Sequence, residues 1–140
     1  MKLYLDTSVL VAILLANPFT ARAFRYLNDA TPSLVVSDYA AAEFASAVAR
    51  MVRMRELTVD AARKAFATFD RLAPRVVQRI ETSSADIKSA ETFLRRPDLA
   101  LRAPDAINIA IAERIGASLM TFDDKMAASA RTLDVEVAPA

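Results

Sequence analysis

Cysteine, histidine and tryptophan are absent from this chain of 140 residues, and glycine occurs once, as Gly116. Without cysteine there is no disulfide scaffold, which suits a reducing cytoplasm. Without histidine there is no Ser-His-Asp or Cys-His catalysis. A single glycine rules out the phosphate-cradling loops of dinucleotide and P-loop proteins, which need several glycines for close backbone approach. No apolar run approaches the roughly 20 residues that span a bilayer, so no membrane partner is expected. The amino-terminal segment has a loose likeness to a leader peptide, in Met1-Lys2, Val9 to Ala16 and Ala21-Arg22-Ala23. Lys2 alone supplies positive charge ahead of that run, Asp6 interrupts the segment, and the apolar stretch is short, so secretion is not expected.

What remains is a folded chain of one domain, residues 1–140, with 54% apolar residues. A chain of this length buries about two thirds of its unfolded surface. Eighteen basic and 17 acidic residues give a net charge of +1, which by itself names no partner. Their distribution says more. Arg50, Arg53, Arg55, Arg63, Lys64, Arg71, Arg75 and Arg79 outnumber Glu56, Asp60 and Asp70 over one stretch, a basic flank that suits a polyanion. A solvated helix face is the plain alternative for that stretch.

Short apolar runs alternate with longer helical patterns, the signature of an α/β domain with a parallel sheet. Leu3–Leu5, Ser33–Val36, Val76–Ile80, Ser118–Thr121 and Val135–Val137 read as five strands. Thr7 or Ser8 can cap the first helix, Ser37-Asp38 the long helix from about Tyr39 to Met54, Thr58 the next, and Ser83 or Ser84 another. The helix from Pro104 to Ile115 has proline near its start and Gly116 just past its end. A short helix starts near Asp124.

Four acids fall where the chain turns toward one edge of such a sheet. Asp6 and Asp123 each follow a strand, whereas Glu43 and Asp105 lie near the starts of helices. In open α/β sheets, sites form at the carboxyl edge where strand order reverses. Converging carboxylates repel unless a divalent cation lies between them, and oxygen-only ligation points to Mg2+, with Mn2+ as a substitute, rather than to zinc. Each acid also has a structural reading: Asp6 and Asp123 or Asp124 as caps, Asp105 as a complement to the helix dipole, Glu43 as an exposed helical residue. Their joint placement favours the metal site. Thr7, Ser8, Asn108 and Thr121 are candidates to orient the carboxylates, with capping or strand termination as the plain role of the threonines and the serine.

These residues resemble a known family. Tyr4-Leu5-Asp6-Thr7-Ser8-Val9-Leu10, Pro104 to Ala110 with Gly116-Ala117, and Thr121-Phe122-Asp123 are similar to the motifs of PIN-domain ribonucleases, and more narrowly of VapC-type toxins. Glu43 falls where that family places its second acid, and Thr121-Phe122-Asp123 favours Asp123 over Asp124. Asn108 departs from many relatives, which carry histidine there. The resemblance implies a three-layer α/β/α fold with a five-stranded parallel sheet of order 3-2-1-4-5, a homodimer, and a VapB-like antitoxin plugging the acidic groove.

It also implies Mg2+-dependent endonucleolytic cleavage of RNA, with Asp6 and Asp105 as main ligands and Glu43 and Asp123 completing the set. Hydrolysis by a metal-activated water needs no histidine base. Two other classes fit less well. A phosphoacceptor receiver needs an acid after the third strand and a lysine after the fifth, and Ile80-Glu81-Thr82 with Val137-Ala138 offers no convincing set. Asp6 is followed by Thr7-Ser8 rather than by the D-x-D of aspartyl phosphatases. A non-catalytic RNA-binding or scaffold protein on the same fold is the alternative to an enzyme.

Overall fold

In the computed structural model, which describes residues 1–72 and 74–138, four parallel strands form a single sheet. The elements run β1 (Lys2–Leu5), α1 (Thr7–Leu14), α2 (Thr20–Ala30), β2 (Ser33–Ser37), α3 (Asp38–Arg53), α4 (Val59–Leu72), β3 (Val77–Ile80), α5 (Ser84–Leu94), α6 (Ala103–Ile115), β4 (Ser118–Met120) and α7 (Asp124–Thr132). Strand order is β3-β2-β1-β4, with Tyr4 opposite Val35 on one side and Leu119 on the other. Every ladder is parallel.

Alternation along the strands fills both faces. Leu3, Leu5, Val36 and Met120 pack with Val9, Phe44 and Phe69 from α1, α3 and α4. Tyr4, Val35 and Leu119 face Ile109, Ile111 and Met126 from α6 and α7. A parallel sheet covered on both faces in this way has strands that read as short continuous apolar runs. No helix among the described residues is long and apolar enough to cross a membrane.

The expected fifth strand, Val135–Val137, is not one. Val137 makes a single isolated parallel bridge to Leu119, with Leu119 N–H donating to Glu136 O at 2.8 Å and Ala138 N–H to Leu119 O at 2.8 Å. The last helix ends at Thr132 and Asp134 turns at φ 60, so only a few described residues remain to run beside β4. The sheet order is therefore 3-2-1-4, with that bridge at the β4 edge.

The helix starts follow local chemistry. Ser37 caps α3 by accepting from Ala40 N–H at 2.9 Å, Thr58 accepts from Ala61 N–H at 3.0 Å, and Ser83 forms a capping box with Asp86. Gly116, at φ 65, ends α6 in the left-handed conformation that glycine adopts freely. Strand order reverses between β1 and β4, so the crevice at their carboxyl ends is where a ligand site is expected.

Candidate active site

A cleft of about 530 Å3 opens at that reversal, and Asp6, Glu43, Asp105 and Asp123 all line it. Thr7, Ser8 and Asn108 line it too, whereas Thr121 is buried behind it. Four segments distant in sequence thus bring their acids to one place: the end of β1, the second turn of α3, the first turn of α6, and the start of α7. Asp124 is exposed and is not part of the lining.

Asp6 is 5% exposed. It caps α1 itself, its Oδ1 accepting from Val9 N–H at 3.1 Å. Of the three caps the sequence offered, Asp6, Thr7 and Ser8, it is Asp6 that caps this helix, and neither Thr7 nor Ser8 does. The chain leaves β1 extended at Asp6 and becomes helical at Thr7, so the cap position falls on the acid. Ser8 instead donates its hydroxyl to Asp6 Oδ1 at 2.6 Å, and Thr121 donates to Oδ2 at 2.5 Å. Burial pushes the Asp6 carboxyl above its ordinary value, and the bonds from Ser8, Thr121 and Val9 offset only part of that rise.

Glu43 Oε1 accepts from Asn108 Nδ2 at 2.7 Å and from Thr7 Oγ1 at 3.2 Å. Its carboxyl is also pushed up, first by burial and then by the charges of Asp6 and Asp105. Asp105 Oδ2 accepts from Arg102 N–H at 3.2 Å and lies 3.7 Å from Arg102 Nε, a side chain 80% exposed. Asp123 caps α7 through Oδ1, which accepts from Met126 N–H at 3.1 Å. Among the described residues, Glu43, Asp105 and Asp123 each keep one carboxylate oxygen outside any hydrogen bond.

Behind Glu43 runs a network of which sequence reasoning anticipated Asn108 but not Tyr4 or Ser37. Tyr4 OH donates to Asn108 Oδ1 at 2.5 Å, which leaves it to accept from Ser37 Oγ at 2.6 Å. With Oδ1 so occupied, the Asn108 amide must present its NH2 group to Glu43 Oε1 and to Pro104 O. Burial raises the Tyr4 hydroxyl well above its ordinary pKa, so it remains a donor. The available signal was a polar tip inside Leu3-Tyr4-Leu5 and one amide inside an Ala/Ile helix, but links spanning 33 and 104 residues leave no local pattern. Arg50 was also missed as an individual: of the eight basic residues from Arg50 to Arg79, it alone lines the cleft.

The donor set suits a hard divalent cation: carboxylates and hydroxyls, with free carboxylate oxygens on three elements and no cation within 4 Å of Asp6 or Glu43 among the described residues. No group of three acidic side chains among the described residues is arranged to hold an ion by direct ligation alone. An ion held here would have to keep water between itself and some of its carboxylates.

The PIN domain family model matches residues 3–131. The chain belongs to the PIN-domain family. Within it, the chain is 33% identical to Ribonuclease VapC46 of Mycobacterium tuberculosis over a 144-residue alignment covering 96% of this chain and 95% of that protein. The crystal structure of VapC20 from the same organism, a toxin that cleaves the sarcin–ricin loop, superposes with TM-score 0.70 at 21% identity, covering 91% of this chain and 94% of the other. VapBC2 of Rickettsia felis, bound to a DNA fragment from its promoter, superposes with TM-score 0.74 at 17% identity over 99% and 98% of the two chains. All four acids lie inside the segment matched to the PIN domain.

Proposed function

We propose that this protein is a Mg2+-dependent endoribonuclease and the toxin of a VapBC-type toxin–antitoxin pair. The observation that carries the reading is the cleft itself: four acids from four elements, two of them with raised pKa values, share one crevice without a closely paired cation at Asp6 or Glu43. Membership of the PIN-domain family and the 33% identity to a ribonuclease of the VapC type support it.

Asp6, Asp105, Asp123 and Glu43 would hold the ion. When bound, it supplies charge neutralisation at the phosphodiester and lowers the pKa of water at neutral pH. The rest falls to the chain. Ser8 and Thr121 fix the Asp6 carboxylate from two sides. Asn108 and Thr7 hold Glu43 Oε1 and leave Oε2 facing no described hydrogen-bond donor. The Arg102 N–H orients Asp105 against the first turn of α6, and the Met126 N–H does the same for Asp123. Carboxylates fixed in this way need little rearrangement to accept a cation, the preorganisation that electrostatic catalysis relies on.

Purified protein should cut RNA in Mg2+, leaving 5′-phosphate and 3′-hydroxyl ends, and Asp6→Asn or Asp105→Asn should stop it while the fold survives. Sequencing of RNA ends, parent against variant and with or without EDTA, tests this. Full activity in excess EDTA would refute the metal dependence. Magnesium binding without cleavage of any RNA would favour the non-catalytic RNA-binding reading. A VapB-like antitoxin encoded beside this chain, co-purifying with it and blocking cleavage, is the expected partner. A homodimer is the expected assembly, checked by light scattering.

A further inference from the structure

The acidic cleft does not end at its four carboxylates. It shares Arg102, Asp105 and Asp123 with a second cavity, of about 400 Å3, that continues past Leu101 to Lys125. The common wall makes the two one groove, with the acids in its middle and a cation toward each end. On α3, Glu43, Ser46, Ala47 and Arg50 line the groove at helical spacing, so one stripe of that helix carries the acid inward and the guanidinium outward. On the far side, Lys125 lies two residues beyond Asp123 in the first turn of α7.

Opposite charges in one groove ordinarily pair. Arg102 follows that rule, lying 3.7 Å from Asp105. Arg50 and Lys125 do not: both are exposed, and among the described residues neither has a carboxylate within 4 Å or a side-chain hydrogen bond. Their charges are left for a ligand that is negative at more than one point and passes between them. A polynucleotide carries one phosphate per nucleotide, so a strand with one phosphate over the acids has neighbouring phosphates on either side.

Building on the ribonuclease reading, we propose that Arg50 and Lys125 are substrate-anchoring residues, each holding a phosphate of the RNA strand on one side of the bond to be cut. The groove then sets the strand's path, from the carboxyl-terminal part of α3 across the acids to the start of α7. Positive charge at the two ends offsets the repulsion that the central carboxylates exert on an incoming polyanion.

The test compares Arg50→Gln, Lys125→Gln and the double variant with Arg63→Gln, which removes a charge from the exposed face of α4 outside the groove. Affinity for a single-stranded RNA oligonucleotide is read by fluorescence anisotropy over a salt series, beside steady-state cleavage in Mg2+ and a thermal melt of each variant. Each groove substitution should weaken binding about threefold to tenfold and lower the slope of log Kd against log salt by about 0.7. KM should rise with kcat nearly unchanged, as expected when ground-state and transition-state binding are lost together. Arg63→Gln should do neither. Equal losses from Arg63→Gln, or parent-like Kd and KM in the double variant, would overturn the anchoring role while leaving the ribonuclease reading intact. A parent that cuts no RNA in Mg2+ would remove that reading, and this inference with it.

Discussion

Asp86 and Asp6 are both buried carboxylates, 1% and 5% exposed, and the chain treats them in opposite ways. Asp86, on α5, meets the Arg114 guanidinium from α6 side-on, at 2.7 Å from Nε and 2.9 Å from Nη2, and accepts a further bond from Ser83 N–H at 2.8 Å. Burial alone would raise its pKa, but the Arg114 and Ser83 bonds outweigh that and hold the carboxyl below the usual range. Asp6 receives three bonds as well, from two hydroxyls and one amide, and its pKa goes up through burial. Hydrogen bonds from neutral donors orient a carboxylate without cancelling its charge. A place where orientation is complete and neutralisation is not is suited to a cation from outside.

The largest expected effect lies on the acidic side of this comparison. Glu43→Gln retains an acceptor for Asn108 and Thr7 while removing a charge, so RNA cleavage should fall on the order of a hundredfold or more. Its melting temperature should hold or rise, because burial first, and then the charges of Asp6 and Asp105, oppose ionisation at this position. Cleavage assays and calorimetry on one sample separate the two. A fall in stability as large as the fall in activity would make Glu43 a structural residue.

On the paired side the pattern should invert. Asp86→Ala strips Arg114 of its partner and breaks the capping box of α5. Severing a fully buried pair costs about 3–5 kcal/mol, and Arg114 is 38% exposed, so roughly 2 kcal/mol is expected from urea denaturation. Cleavage per folded molecule should not change.

Asn108→Ala falls between the two regions. It leaves the buried Tyr4 hydroxyl without its acceptor, for about 1–3 kcal/mol, and frees the Glu43 side chain, for roughly tenfold in rate. Denaturation and kinetics on the one variant check both figures. An effect on only one of them would uncouple the network from the site.

The smallest effect is in pH dependence, and its sign distinguishes the regions. The Asp86 pKa is depressed in the fold, so its stabilisation is complete above the ordinary value of 3.8 and is lost as pH falls through the lower folded value. The Glu43 pKa is raised, so the folded state binds its proton more tightly. In chelator, its contribution therefore moves against the native state as pH rises from the ordinary 4.5 through the raised folded value. Stability difference curves for Asp86→Asn and Glu43→Gln against the parent should slope in opposite directions, and parallel curves would refute the contrast.

Much of this architecture is written in local pattern. The apolar runs of β1, β2 and β4, the caps at Ser37, Thr58 and Ser83, and the placement of four acids at strand ends and helix starts depend on neighbours a few residues apart. What stayed hidden depends on distance. Asp86 and Arg114 are 28 residues apart, and nothing in either neighbourhood announces the pair. The choice among Asp6, Thr7 and Ser8 as cap of α1 was open in the sequence and turned on where the backbone leaves β1. Val135–Val137 has strand composition but only an isolated bridge beside β4. The basic stretch from Arg50 to Arg79 reads as one flank, yet the helical phase of α3 brings only Arg50 into the cleft.

A magnesium titration followed by thermal unfolding tests the central claim most directly, because it reads the acids' need for a cation without depending on a substrate. At about ten times Kd the ion should stabilise the native chain by about 1.4 kcal/mol, raising the melting temperature by roughly 3–6 °C. The gain should vanish in the Glu43→Gln/Asp105→Asn double variant. An unchanged parent melt at magnesium concentrations that support cleavage, or an equal gain in the double variant, would contradict the account.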